Sequence, residues 1–160
     1  MRKRHFLVLW LATIALVTGV SAQAEIKEVV LLHTNDIESV YEPLQADWRD
    51  DIEWIGGIPH LASLVHDVRA DAPTSFLFDA GDIFTGALSK KTGGKLPFDL
   101  YSAMDYDVIT LGNHEFEYGW VTLIETLPRA SFPVLNANIV HRDSGTRIAQ
   151  PYTILERDGI

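Results

Sequence analysis

The residues of this chain that could do chemistry stand where apolar runs stop. Asp36 follows Val29-Val30-Leu31-Leu32 by way of His33-Thr34-Asn35. Asp82 follows Phe76-Leu77-Phe78 by way of Asp79-Ala80-Gly81, and Asn113 follows Val108 to Leu111 by way of Gly112. Each of the three offers a side-chain oxygen of the kind that binds hard or borderline divalent ions such as Mn, Mg or Fe, with Zn favoured where histidine joins. His114 comes next and supplies a proton donor or acceptor near neutral pH. Parallel strands carry their carboxyl ends on one rim, and ligands of open α/β sheets sit in the crevice outside it. Three such strand ends can therefore pool their oxygens. A carboxylate shared by two ions roughly 3.5–4 Å apart clamps both sides of a phosphoryl displacement, and Asp82, in the middle motif, is the expected bridge. Taken singly, each Asp is also an ordinary turn residue, and Asn113 an ordinary Asx cap.

The elements that must position these residues alternate. Strands are expected at Ile26–His33, Ser75–Asp79, Asp107–Leu111 and Phe132–Ile139, with another starting at Pro151–Leu155. Helices are expected at Pro59–Ala70, where Ile58, Leu61, Ala62, Leu64, Val65 and Val68 recur at helical spacing, at Pro97–Met104, and from Gly119 or Trp120 to Leu127. Ser39 to Ile55 reads as a long polar loop, and long loops are usually functional or mobile. Alternating strands and helices give an α/β fold with a largely parallel sheet. His60 and His66 fall off the helical stripe and read as surface residues, His33 as a strand histidine, and His141 as part of a polar turn.

Residues 1–24 read as a signal peptide. A basic Met1-Arg2-Lys3-Arg4-His5 start precedes an apolar run from Phe6 to about Val20, and Ala22-Gln23-Ala24 is a small-x-small cleavage site. An uncleaved anchor is the rival reading, disfavoured because a comfortable span needs about 20 apolar residues. Export to the periplasm or medium, with no membrane association after cleavage, is expected. The absence of cysteine excludes a disulfide framework and a lipidated amino-terminal cysteine. The formal charge is −9 and becomes more negative once Arg2, Lys3 and Arg4 are removed. Such a chain is a poor partner for polymeric nucleic acid or anionic lipid. A phosphate bound here needs local positive charge, which metal ions can supply. The length suits one modest domain, residues 25–160.

Together the motifs Leu32-His33-Thr34-Asn35-Asp36, Asp79-Ala80-Gly81-Asp82 with Gly86, and Leu111-Gly112-Asn113-His114-Glu115-Phe116 resemble those of the calcineurin-like metallophosphatases. The His-Thr-Asn-Asp opening, Gly56-Gly57, and the run from Gly112 to Gly119 are similar to the secreted 5′-nucleotidase branch. The resemblance extends from about Val29 to Ile160. It implies a metallophosphatase αββα sandwich, of which this chain would be the amino-terminal half of the core. It also implies two divalent metal ions: Asp36 on the first, Asp82 bridging, Asn113 on the second. His114 would act catalytically beside the leaving oxygen and the phosphate. A hydroxide activated by the two metals would attack phosphorus in line, with nucleotide or related phosphoesters as substrates. Relatives act on nucleotides, cyclic nucleotides, nucleotide sugars or, in one sulfur-oxidising branch, a thiosulfonate.

Two departures from that pattern matter. Where the family has Asp-x-His, this chain has Asp36-Ile37-Glu38. Glu38 is then a metal ligand that shifts preference toward Mn, Mg or Fe, an outer residue orienting the site, or an uninvolved surface acid. Further, the family completes both ions with three later histidines, two of them in Gly-His-x-His, and no such motif occurs here. Asp158-Gly159 is a hairpin signal with a strand expected beyond it. The chain therefore reads as the amino-terminal part of a longer protein, or of a truncated gene product, lacking the nucleotide-recognition domain. By itself it is expected to bind metal weakly and to turn over little or nothing. An exported binding protein that keeps the scaffold without catalysis is the alternative.

Overall fold

The computed structural model describes residues 26–160, so the expected signal peptide lies outside the described residues. The chain runs through β1 (Val30–Thr34), β2 (Leu44–Gln45), β3 (Trp54–Ile55), α1 (Ile58–Asp71), β4 (Ser75–Asp79), α2 (Gly86–Lys91), α3 (Lys95–Ala103), β5 (Val108–Thr110), α4 (Trp120–Thr126) and β6 (Val134–Leu135). The main sheet has the order β1-β4-β5-β6 and every pairing in it is parallel. The fold is α/β, as the alternation of elements requires.

Strand order follows chain order, so each crossover steps the same way across the sheet. Right-handed crossovers of that kind put all the helices on one face. Burial agrees. Leu77 and Ile109 belong to one core cluster with Val65 of α1, Phe98 and Tyr101 of α3 and Leu123 of α4. The opposite face carries Leu31, paired in register with Phe76, and His33, paired with Phe78. Phe76 and Phe78 stack there with centroids 6.2 Å apart, and the Arg157 guanidinium lies 4.9 Å over Phe76. Leu31 remains 64 % exposed. The described residues thus supply one helical layer and one sheet of the expected sandwich.

Several elements differ from the sequence expectation. The long loop holds a small antiparallel ribbon, β2 with β3. Helix α2 leaves no signal in the sequence, because six residues are too few to show a periodic apolar stripe. Helix α3 starts at Lys95 and takes Pro97 inside its first turn, where a missing N–H costs nothing. The fourth strand of the sheet is only two residues long. After it, Asn136 Oδ1 accepts the N–H groups of Asn138 (3.2 Å) and Ile139 (2.7 Å) and turns the chain out of the sheet. Pro151–Leu155 is not a strand: contact there is one bridge, Leu135 with Gln150, and Pro151 has no N–H to extend it. Asp158-Gly159 does make its turn. Both residues have positive φ, 54° and 73°, between the mutually bonded Arg157 and Ile160, which is the type I′ geometry.

Candidate active site

The carboxyl ends of β1, β4 and β5 meet at one rim, and backbone contacts hold their three loops together. The Asp36 N–H donates to the Gly81 carbonyl at 3.0 Å, and the Glu38 N–H to the Asp82 carbonyl at 3.1 Å. A Cβ on Gly81 would run into the Gly112 backbone, and one on Gly112 into the Asp82 carboxylate. Both positions therefore demand glycine for close approach of two loops. Asp36, Glu38, Ser39, Asp82 and Thr85 all have φ between 45° and 123°. Left-handed backbone at non-glycine residues costs of order 1–3 kcal/mol each and gathers at functional sites, where the surrounding structure enforces it.

His114 sits at the centre. Its backbone N–H donates to Asp82 Oδ1 at 2.8 Å. Its ring Nε2 lies 3.6 Å from Glu38 Oε1, and its Nδ1 lies 3.2 Å from Glu117 Oε2. The contact with Glu117 raises the imidazole pKa above its ordinary value, partial desolvation opposes that, and the charges of Asp82 and Glu38 add to the rise. The Glu117 carboxyl is in turn held below its usual range, first by the Thr85 side chain and then by His114. Asn113 precedes the 3-10 turn His114–Phe116 as its N-cap residue, yet its side chain makes no capping bond. The amide is not consumed by the Asx role.

Beneath the rim two acids are buried. Asp79 accepts from Thr34 Oγ1 (2.5 Å), Tyr101 OH (2.9 Å) and the Gly81 N–H (2.8 Å). Burial pushes its carboxyl above the ordinary range, against those three bonds. Glu115 accepts backbone N–H groups from Asp82, Ile83, Phe84 and Gly112. Behind Glu38, the Ser39 hydroxyl bonds the buried Ser89 hydroxyl at 2.7 Å, so α2 braces the first loop.

The structure therefore brings Glu38, Asp82 and His114 into direct contact and sets Asp36 and Asn113 on the adjoining loops. Among the described residues no three His, Asp or Glu side chains already stand close enough around one point to hold an ion. The donor set is carboxylates, one amide and one imidazole, and that chemistry fits divalent cations. His60 and His66 are exposed; His60 Nδ1 lies 2.7 Å from the Gly56 carbonyl and the residue lines a cavity that Asp36 also lines, while His66 lies beside Asp67. His141 lies in its turn with its ring edge-on to Trp120 at 5.3 Å, and lines a cavity of about 670 Å³ that Phe116 also lines but Asp36, Glu38, Asp82, Asn113 and His114 do not. Sequence reasoning missed Asp79, Glu115 and Glu117. Asp79 and Glu115 stand inside the motifs quoted above without a role assigned to them, and Glu117 stands three residues after His114, where in a 3-10 turn residues i and i+3 eclipse.

Over 98 % of its length the chain is 33 % identical to a 2′,3′-cyclic-nucleotide 2′-phosphodiesterase/3′-nucleotidase of Haemophilus influenzae, of which it spans 26 %. The crystal structure of a 5′-nucleotidase precursor from Thermus thermophilus superposes on 81 % of the chain with TM-score 0.71 at 30 % identity, again over 26 % of that protein. A calcineurin-like phosphoesterase from Bacillus subtilis superposes on 79 % of the chain with TM-score 0.63 at 33 % identity, over 41 % of its own length. The chain belongs to the 5′-nucleotidase branch of the calcineurin-like phosphoesterases. No family model matches it. It spans about a quarter of the length of the curated relatives it matches. No described helix is long and apolar enough to cross a membrane.

Proposed function

We propose that the protein is an exported, metal-dependent phosphoesterase acting on nucleotides or closely related phosphoesters. One observation carries the reading: His114 donates its backbone N–H to Asp82 while its ring faces Glu38, at the shared carboxyl rim of three parallel strands. In this reading Asp36 and Glu38 would hold one divalent ion, Asn113 a second, and Asp82 would be shared between them. Such ions would supply positive charge for the phosphate and a more acidic water. The chain's own residues do the rest. Glu117 fixes the imidazole of His114 and favours its protonated form, so His114 presents an N–H toward the leaving oxygen, where charge develops. The other ring nitrogen, Nε2, lies 3.6 Å from Glu38 Oε1, beyond hydrogen-bond distance, and is the one left to make that donation. The acidic surface argues against a polymeric nucleic-acid substrate.

The test is phosphate release from AMP, a 2′,3′-cyclic nucleotide and a nucleotide sugar, with Mn, for the protein expressed from the whole open reading frame and for the 160-residue chain. The former is expected to turn over at least one of them only when metal is supplied, and the latter little or none. Equal rates with and without a chelator would overturn the proposal.

A further inference from the structure

Glu115 is completely buried. A carboxylate in that position is costly unless its oxygens are bonded, and here four backbone N–H groups serve it. Oε1 accepts from Ile83 at 2.7 Å and Phe84 at 3.2 Å. Oε2 accepts from Asp82 at 3.1 Å and Gly112 at 2.5 Å. The first pair belongs to the loop after β4 alone. The second pair joins two loops, because Asp82 follows β4 and Gly112 follows β5. Asp82 and Asn113 are the bridging and second-ion ligands of the proposed function, and each lies at or next to an N–H that Oε2 holds. Glu115 itself sits under the loops and does not face the crevice.

We propose that Glu115 is a positioning residue that fixes the spacing between Asp82 and Asn113, and thereby sets the affinity for divalent cations. This rests on the metal-dependent reading above. The chemistry is specific to a carboxylate. Glutamine has the same shape, but its amide nitrogen donates only, so one of the two N–H pairs must face another donor. Aspartate keeps both acceptor oxygens but is a methylene shorter, so it reaches the four amides less well. The close approach of Gly81 to Gly112 leaves no slack between the loops, so a lost Oε2 bond is relieved by separating them.

The experiment uses the protein from the whole open reading frame, as wild type, Glu115→Gln, Glu115→Asp and Asp82→Asn. Circular dichroism establishes that each is folded. Hydrogen exchange without metal reads peptides covering Asp82 and Gly112, and free Mn²⁺ measured by paramagnetic resonance gives its dissociation constant. The Glu115→Gln protein is expected to lose protection at Asp82 and Gly112 and to bind Mn²⁺ about 10–100-fold more weakly, the usual effect of removing a residue that orients ligands. Glu115→Asp is expected to fall between it and the wild type, and serves alone if the glutamine variant does not fold. A folded variant with wild-type Mn²⁺ affinity would overturn the inference and leave Glu115 a stabilising group only. Failure of the metal-dependent reading has a different signature, wild type and Asp82→Asn binding Mn²⁺ equally weakly, and it overturns the affinity claim whatever the exchange data show.

Discussion

Glu38 stands where the resemblance implies a histidine, and its carboxylate lies 3.6 Å from the His114 ring. A carboxylate oxygen there favours harder ions than imidazole does. Glu38→His in the full-length protein is therefore expected to shift the retained metal from Mn, Mg or Fe toward Zn. Elemental analysis after purification reads this, and unchanged metal content together with unchanged activity would count against Glu38 as a ligand. Asp79 makes a second prediction. Burial raises its carboxyl pKa in the folded chain, whereas the unfolded value is about 3.9. The folded state therefore binds the proton more tightly. The stability this contributes is fully present below the unfolded pKa and is lost as pH rises through the folded one. Asp79→Asn imitates the protonated form, so the wild type is expected to lose stability relative to the variant as pH is raised from about 4 to 7, measured as urea midpoints. A gap that stays constant across that window would exclude it. Asp36, Asp82, Asn113 and His114 were legible because each ends an apolar run and sits beside a turn former. Glu115 was not, because its four partners lie in two loops whose meeting is decided by Gly81 and Gly112.

Among the elements, β4 was the most readable: it matches its expected bounds because Phe76-Leu77-Phe78 is a continuous apolar run, with Phe76 and Leu77 buried. β6 is shorter than its sequence suggests because Val134 to Ile139 is apolar enough for a strand, while the side chain of Asn136 captures the backbone that would have continued the ladder. Helix α1 was readable from its stripe, with Ile58 and Val65 buried. The loops after the strands pack closely on one another, and glycine substitution separates packing from backbone strain. Gly112→Ala places a methyl against the Asp82 carboxylate and backbone. It is expected to cost about 1–3 kcal/mol, as overpacking does, and to weaken metal binding as well. Gly56 has φ +65° with nothing near its missing Cβ, so Gly56→Ala is expected to cost only about 1 kcal/mol of backbone strain and to leave metal binding alone. Denaturant midpoints and metal titrations on the two variants check the contrast, and similar losses of binding in both would mean that the rim does not depend on the contact between its loops.

At the scale of the whole molecule, the sheet is covered by helices on one face and ends in a strand, β1, that has a single strand partner among the described residues. An edge strand offers unpaired N–H and C=O groups to other chains. Here the neighbouring face adds apolar surface, with Leu31 at 64 % exposure next to Phe76. Charge opposes association, since the formal value is −9 before any cleavage, and Debye screening shortens its reach to about 10 Å at 0.1 M salt. Contact along a strand edge operates at about 5 Å, inside that screening length, so added salt removes repulsion without touching the attraction. The chain of residues 25–160 is therefore expected to self-associate increasingly as salt rises from about 0.05 M to about 0.5 M. Leu31→Lys puts a charge on the edge and removes its exposed apolar side chain, so it is expected to suppress association while changing stability by less than about 0.5 kcal/mol, as substitutions at exposed positions do. Sedimentation velocity across that salt series checks it: a wild-type chain that stays monomeric throughout would show that β1 and its bare face are not sticky.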